Sequence, residues 1–342
     1  MTSLADVAAR AGVSVATASR VLGNSKHPVS APVRERVLLA ADELNYEFNM
    51  LARGLVANRT ATVGVVLHDI LDPYFALIVR GIEDVAYAAG YTTLVCNTDR
   101  DPDKELNYVR KLRSMCVDAL LFTAGGLIDA DHQRRLAVQT EKIEAAGRVV
   151  VHLAPDPRYK PAVYYSTQDA MAQIVSHLAE LGHRRLLYVA GSPRIATTGE
   201  RDRALQAVTA ALGLPPPLIL HADFTRAGAG SAAGAVAGHL ADGVTAVMAT
   251  NDQTALGLLD GLAALKIRAP KDVSITGFGD IPICGDVSPA LTTVRLPLYQ
   301  VGAQGMQHAL RLLAGEHPRR RKLLQGELVI RASTGPPPRS QR

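Results

Sequence analysis

AGVSVATASRVLG, residues 11–23, sets Val, Ala, Thr and Ser along what must be a helix near the chain start. Side chains this small cannot build a core alone, so the neighbouring segments decide what the helix is for. In LADVAARA, residues 4–11, Leu4, Val7, Ala8 and Ala11 recur at i, i+3, i+4 and i+7, one apolar stripe of a short helix. Gly12 then permits a left-handed turn that a side chain would resist. Ser14 is a suitable N-cap for a second helix running to Leu22, with Val21 and Leu22 directed at the first. Two short helices joined by such a turn predict a helix-turn-helix. A third helix follows, capped by Ser30, with Pro32 in its first turn and Val33, Val37, Ala41 and Leu44 on one face.

Beyond Thr62 the texture changes. TVGVVLH, YTTLVC, DALLFTA and RVVVHL read as short, uniformly apolar strands separated by amphipathic helical segments. That is the pattern of a parallel sheet covered on both faces. The rhythm restarts after residue 160 with RLLYVAG, LIL, TAVMA and VSITGF, so two doubly wound lobes are expected. LTTVRL, a helix and GELVIRAS then return to the first lobe. The predicted fold class is α/β: a three-helix head (1–47), a hinge helix and linker (48–60), and a two-lobed body (61–334). The first lobe is expected at about 61–160 and 291–334, the second at about 161–290, and residues 335–342, Pro-rich at their start, are expected to form a disordered tail.

Composition narrows the functional classes. The chain has 342 residues, a formal net charge of +5 and three cysteines. Cys96, Cys116 and Cys284 are widely spaced, without C-x-x-C or H-E-x-x-H, so neither a disulfide framework nor a zinc site is expected. Without a signal-like segment or an apolar run long enough to span a membrane, the chain is expected to be soluble and cytoplasmic. The charge is concentrated at the ends: residues 1–60 carry net +2, residues 61–316 net −3 and residues 317–342 net +6. A basic C-terminal run is most simply a solvated stretch, so charge alone does not establish nucleic-acid binding.

Enzymatic signatures fare poorly. GAGSAA, residues 228–233, fits G-x-G-x-x-A, but Asp223 to Ala227 separate it from the strand ending at His221, too far for the tight turn that presents amides to a pyrophosphate. No G-x-S-x-G elbow or phosphate-binding G-x-x-x-x-G-K-[ST] loop occurs. His177 and His183 do not share a helical face. The expectation is a non-enzyme without cofactor or metal.

The head offers a clearer chemistry. Small residues on a recognition helix let it enter a major groove roughly 12 Å wide. Val15 and Ala16 can touch thymine methyls, Arg20 can reach a guanine or phosphate, and Ser14, Thr17 and Ser19 are short donors for phosphate oxygens. One such helix covers few base pairs, so two heads on a homodimer should read a palindrome in double-stranded DNA.

LADVAARAGVSVATASRVLGN, ELNYEFNMLARGL, ATVGVVLHDILDPYF, HLAELGHRR, TNDQTALGLLDGLAALKIRAPKDVSITGFGD and SPALTTVRLP together resemble the lactose/galactose repressor family, from residue 3 to about 334. The resemblance implies a DNA-binding head, a hinge helix and a body built like a periplasmic sugar-binding protein. By that resemblance Val15, Ala16 and Arg20 read bases. Leu55 is the apolar wedge that paired hinge helices push into the minor groove, and Asn49 and Ala52 belong to the same DNA-contacting hinge. It also implies a small-molecule effector between the lobes, a sugar first, touching Asp69, Tyr74, Phe75, Arg201, Phe224 and Asn251. Departures matter: GFGD puts Gly279 where relatives commonly carry Asp, Phe48 stands where Pro is usual, YYSTQDA lacks the common Asp-Asn pair, and Asp202 and Arg203 replace a Gly-aromatic pair. The alternatives are a nucleoside-like or carboxylated effector, or a solute-binding protein with no regulatory role.

Overall fold

The computed structural model describes residues 2–23, 27–46, 59–154, 162–318 and 322–338. It divides into an N-terminal unit, 1–61, and a body, 62–342.

The head contains α1 (Leu4–Ala11), α2 (Val15–Leu22) and α3 (Ala31–Glu43). Ser3 caps α1 in a capping box with Asp6, and Gly12 ends it at φ 63°. Ser14 Oγ accepts from Thr17 N at 3.1 Å, starting α2. Ser30 occupies the N-cap of α3 but its side chain makes no capping bond there, and Pro32 in the first turn supplies the preset φ instead. Val7, Ala8, Ala11, Ala18, Val21, Val37, Ala40 and Ala41 close a miniature core. A core this rich in alanine brings the three helices close together, and their outer faces remain exposed.

The body holds two four-stranded parallel sheets of equivalent topology. In the first, β1 (Thr62–Leu67), β2 (Thr92–Asn97), β3 (Ala119–Phe122) and β4 (Val149–His152) lie in the order β2-β1-β3-β4. Helices α4 (Pro73–Ala88), α5 (Pro102–Ser114) and α6 (Ala130–Ala145) connect them. After β5 (Val163–Tyr165) and α7 (Thr167–Glu180), the second sheet sets β6 (Leu186–Ala190), β7 (Leu218–His221), β8 (Ala246–Ala249) and β9 (Ser274–Thr276) in the order β7-β6-β8-β9. Its connections are α8 (Ala196–Ala211), the consecutive α9 (Arg226–Ser231) and α10 (Ala233–Ala241), and α11 (Asp252–Ala264). The Gly/Ala-rich segment therefore forms two helices. In each sheet the chain enters at an inner strand, moves outward, then crosses back, which leaves a crevice at the strands' C-terminal ends.

The C-terminal segment shuttles between the lobes. β10 (Thr293–Arg295) leads to α12 (Leu298–Leu313), which lies on α4 of the first lobe so closely that a Cβ on Gly302 would collide with the Ile78 carbonyl. Beyond it, β11 (Lys322–Leu324) pairs with β5 and β12 (Glu327–Val329) with β10. Ser333 O then accepts from Ile275 N at 2.9 Å, and His177 Nε2 lies 3.0 Å from Thr334 Oγ1. Of the 291–334 stretch expected in the first lobe, α12 packs there, whereas residues 331–334 lie along the second. The expected tail differs too: Gly335 O lies 2.8 Å from His183 Nε2, and Gly335 N donates to Ser274 Oγ at 3.0 Å. These strands are only three residues long, too short to show a periodicity that would assign them to a lobe.

Candidate functional site

On the head, Ser14, Val15, Ala16 and Arg20 are exposed and Thr17 and Ser19 half-buried, while Ala18 and Val21 turn into the core. Val15, an apolar side chain, is left 49% exposed. Ser14 Oγ is already occupied by its cap and by Thr17 Oγ1 at 2.9 Å, so a phosphate contact would share that hydroxyl. Asn49, Ala52 and Leu55, with Phe48, lie outside the described residues.

In the body, the two crevices face each other across a cavity of about 470 Å³, part of it open to solvent. The second lobe's contribution is fixed by its own backbone. Arg201 on α8 is buried; Nη1 donates to Thr250 O at 2.7 Å, Nη2 to Tyr165 Oη at 3.2 Å, and the guanidinium lies 4.5 Å from the Phe278 ring centroid. Asn251 caps α11, its Oδ1 accepting from Thr254 N at 2.8 Å and its Nδ2 donating to Phe224 O at 3.2 Å. Phe224 itself lies against Gly191, where a Cβ would collide with the ring.

The first lobe presents Asp72, Tyr74, Phe75, His68 and Arg100. Asp72 caps α4 through Oδ1, 3.0 Å from Tyr74 N, and burial raises its pKa. His68 is pushed down to about 3 by burial and then by the Arg100 cation, so it is neutral at pH 7. The Tyr74 hydroxyl lies 3.1 Å from that of Tyr165, a polar chain across the cleft to Arg201. One side is closed by backbone: Ile128 N donates to Arg194 O at 2.7 Å and Ala196 N to Gly126 O at 3.0 Å.

Five residues named from sequence, Tyr74, Phe75, Arg201, Phe224 and Asn251, line this cavity. Asp69 is absent from its lining: Oδ1 accepts from Leu71 N at 3.0 Å, and Asp72 lines the cavity instead. Sequence reasoning passed over His68, Asp72, Arg100 and Thr197. Asp72 had a visible signal, since D-P at a helix start followed by two aromatics projects a carboxylate beside the rings.

Residues 3–49 match the model of the lacI family of bacterial regulatory proteins, and residues 175–334 match a periplasmic binding protein-like domain. A repressor named PurR from Aliivibrio fischeri is 31% identical over 337 residues, covering 97% of this chain and 98% of the relative. The chain belongs to the lacI family. As a lacI-family protein it is a DNA-binding transcriptional regulator. Its fold is similar to a lac repressor dimer bound to operator and the anti-inducer ONPF (TM-score 0.83, 25% identity, 98% of this chain and 99% of that one). It is also similar to a regulator, CelR, in complex with cellobiose (TM-score 0.70, 26% identity, 97% and 100%).

Gly279, this regulator's departure from G-F-D-D, has a local reason. It sits at φ 145°, and a Cβ there would stand 2.8 Å from Asp252 Oδ2. Asp252 is buried and fully used, accepting from Ile281 N at 2.9 Å and from Thr293 Oγ1 at 2.6 Å. A second carboxylate beside it would meet like charge in a dry site. Among the described residues, no helix is long and apolar enough to cross a membrane, and no cluster of three or more metal-ligating side chains occurs.

Proposed function

We propose that this regulator is a cytoplasmic, non-catalytic repressor that binds a palindromic operator as a homodimer, and that a small polar ring molecule held between its lobes sets its DNA affinity. The observation that carries the reading is the cavity at the facing strand ends, which joins first-lobe Asp72, Tyr74 and Phe75 to second-lobe Arg201, Phe224 and Asn251. Aromatic faces for a ring, with a few fixed polar groups to orient it, are the usual composition of a small-molecule site. A sugar-like ring suits it, in line with the cellobiose complex of the CelR relative. The domain plan carries over: head 1–47, hinge 48–60 and body 61–334. The hinge residues Asn49 and Ala52 contact the operator and Leu55 wedges its central step.

A ligand that bridges both lobes binds one interlobe angle better than another, and only that difference in affinity can move the heads. Couplings of this kind are about 1–3 kcal/mol, a 5- to 150-fold change in operator affinity.

The test is selection of bound duplexes from a random pool, followed by anisotropy titration at two salt concentrations. A recovered palindrome is the expected result. Binding that stays unspecific and steeply salt-dependent both without and with compounds that stabilise the protein would trace to the basic ends alone and refute the reading. Val15→Ser should lower operator affinity about 10-fold by removing an apolar base contact, leaving stability within about 0.5 kcal/mol. Equal affinity for the recovered palindrome would remove Val15 from the interface.

A further inference from the structure

Arg100 stands out among the cavity's polar groups. It follows β2 in a loop where Asp99 and Arg100 both adopt left-handed backbone, φ 54° and 61°, a conformation that costs non-glycine residues energy and turns this side chain into the cleft. Its guanidinium lies over the Phe224 ring at 5.0 Å from the centroid, so one face is covered. Among the described residues it makes no ion pair and no hydrogen bond. Four carboxylates act on it without pairing with it: Asp69 accepts from Leu71 N, Asp72 from Tyr74 N, and Asp99 from Lys104 and Asn97, while Asp223 is exposed to solvent. Burial lowers its pKa despite those neighbouring acids, so its desolvation is not fully compensated. Arg201, by contrast, is already bonded to Thr250 and Tyr165.

We propose that the effector carries a carboxylate and that the open fork of Arg100 receives it, the chemical class being an acidic sugar or a similar ring acid. The inference rests on the effector reading above and sharpens it. A planar guanidinium with two parallel N–H donors matches a carboxylate bidentately. A phosphate dianion is the poorer fit: the acids near Arg100 repel any anion, a dianion about twice as strongly as a monoanion, and Arg100 is the one cation of the site with its donors uncommitted among the described residues. The rest of the ligand is then a polar ring between Phe75 and Phe224, with Asn251 and Thr197 within the same lining.

The experiment is a thermal-shift screen of the full-length protein against neutral sugars, their uronic and aldonic acids, sugar phosphates and nucleosides. Calorimetric titration of the best hit follows, with the wild type, Arg100→Gln and Arg100→Lys. The expected result is a carboxylated hit whose affinity falls about 30-fold in Arg100→Gln and less in Arg100→Lys, while its neutral parent sugar binds both variants as it binds wild type. Hits that are neutral, or phosphorylated, or indifferent to Arg100→Gln would overturn the carboxylate while leaving the effector reading intact. No stabilising compound in the library, or hits that bind Arg201→Ala and Asn251→Ala as tightly as wild type, would overturn the effector reading itself.

Discussion

The two walls of the cleft are built from equivalent sheets yet hold their polar groups differently. The second lobe ties Arg201 and Asn251 into its own backbone at Thr250, Thr254 and Phe224. The first lobe leaves His68 neutral through burial and the nearby Arg100 cation, and Arg100 stacked without an ion pair or hydrogen bond among the described residues. Groups already bonded contribute to folding and meet a ligand without rearranging. Groups left unpaired contribute little to folding and gain most when a ligand arrives. Asp72 is the exception on the first wall, since it caps α4 as Asn251 caps α11, so the contrast is sharpest between the two arginines: Arg201 is committed to the fold and Arg100 is left for a ligand.

That division can be broken by substitution, beginning on the second wall. Arg201→Ala should lower stability by about 3 kcal/mol in urea unfolding, since it strands the Thr250 carbonyl and removes the stack on Phe278. A loss below about 1 kcal/mol would mean that Arg201 belongs functionally with the first wall. His68 gives the next effect, and its sign follows from the depressed folded pKa. The unfolded chain takes up the proton at about 6.5, the folded protein only near 3, so stability is full above about pH 6.5 and falls as the pH drops toward 3. Between pH 7 and pH 5 the wild type should lose about 2 kcal/mol more than His68→Asn, and parallel pH profiles would remove His68 as the cause. Asn251→Ala should cost about 1.5 kcal/mol through the lost cap of α11, read from the same denaturation curves. The smallest effect belongs to Arg100→Gln, within about 0.5 kcal/mol without ligand. A larger loss would show that the first wall is as tied down as the second.

Much of this arrangement is legible in the sequence where local chemistry decides it. Ser14 caps α2, Gly12 turns the chain, and the apolar runs become the strands of two parallel sheets. Tyr74, Phe75, Arg201, Phe224 and Asn251 are named through the family resemblance, and the crevice that gathers them is the one a doubly wound sheet opens at its strand ends. Arg100 is not legible. NTDRDPDKE reads as a polar loop, and although Asp tolerates the left-handed region, Arg usually avoids it, so two consecutive left-handed residues cannot be anticipated. His68 is hidden for the opposite reason, since VVLH looks like the end of any strand. Asp69 and Asp72 are close enough in sequence that only the start of α4 separates a carboxylate turned to its own loop from one lining the cavity. The C-terminal strands escape because three residues carry no period, and their partners, β5 and β10, are set by long-range packing.

The crossing of α4 and α12 has a consequence in time. Ile78 and Gly302, which meet backbone to backbone, are separated by most of the body's length. At roughly 5–20 residues per second of synthesis, α4 would emerge some 10–45 s before the helix that covers it. During that interval β3 and β4, which α12 covers, are exposed on that face of the first lobe's sheet, while the second lobe is being made. The nascent chain therefore carries an unfinished first lobe through nearly all of its translation, and this is where a chaperone would find apolar surface to hold.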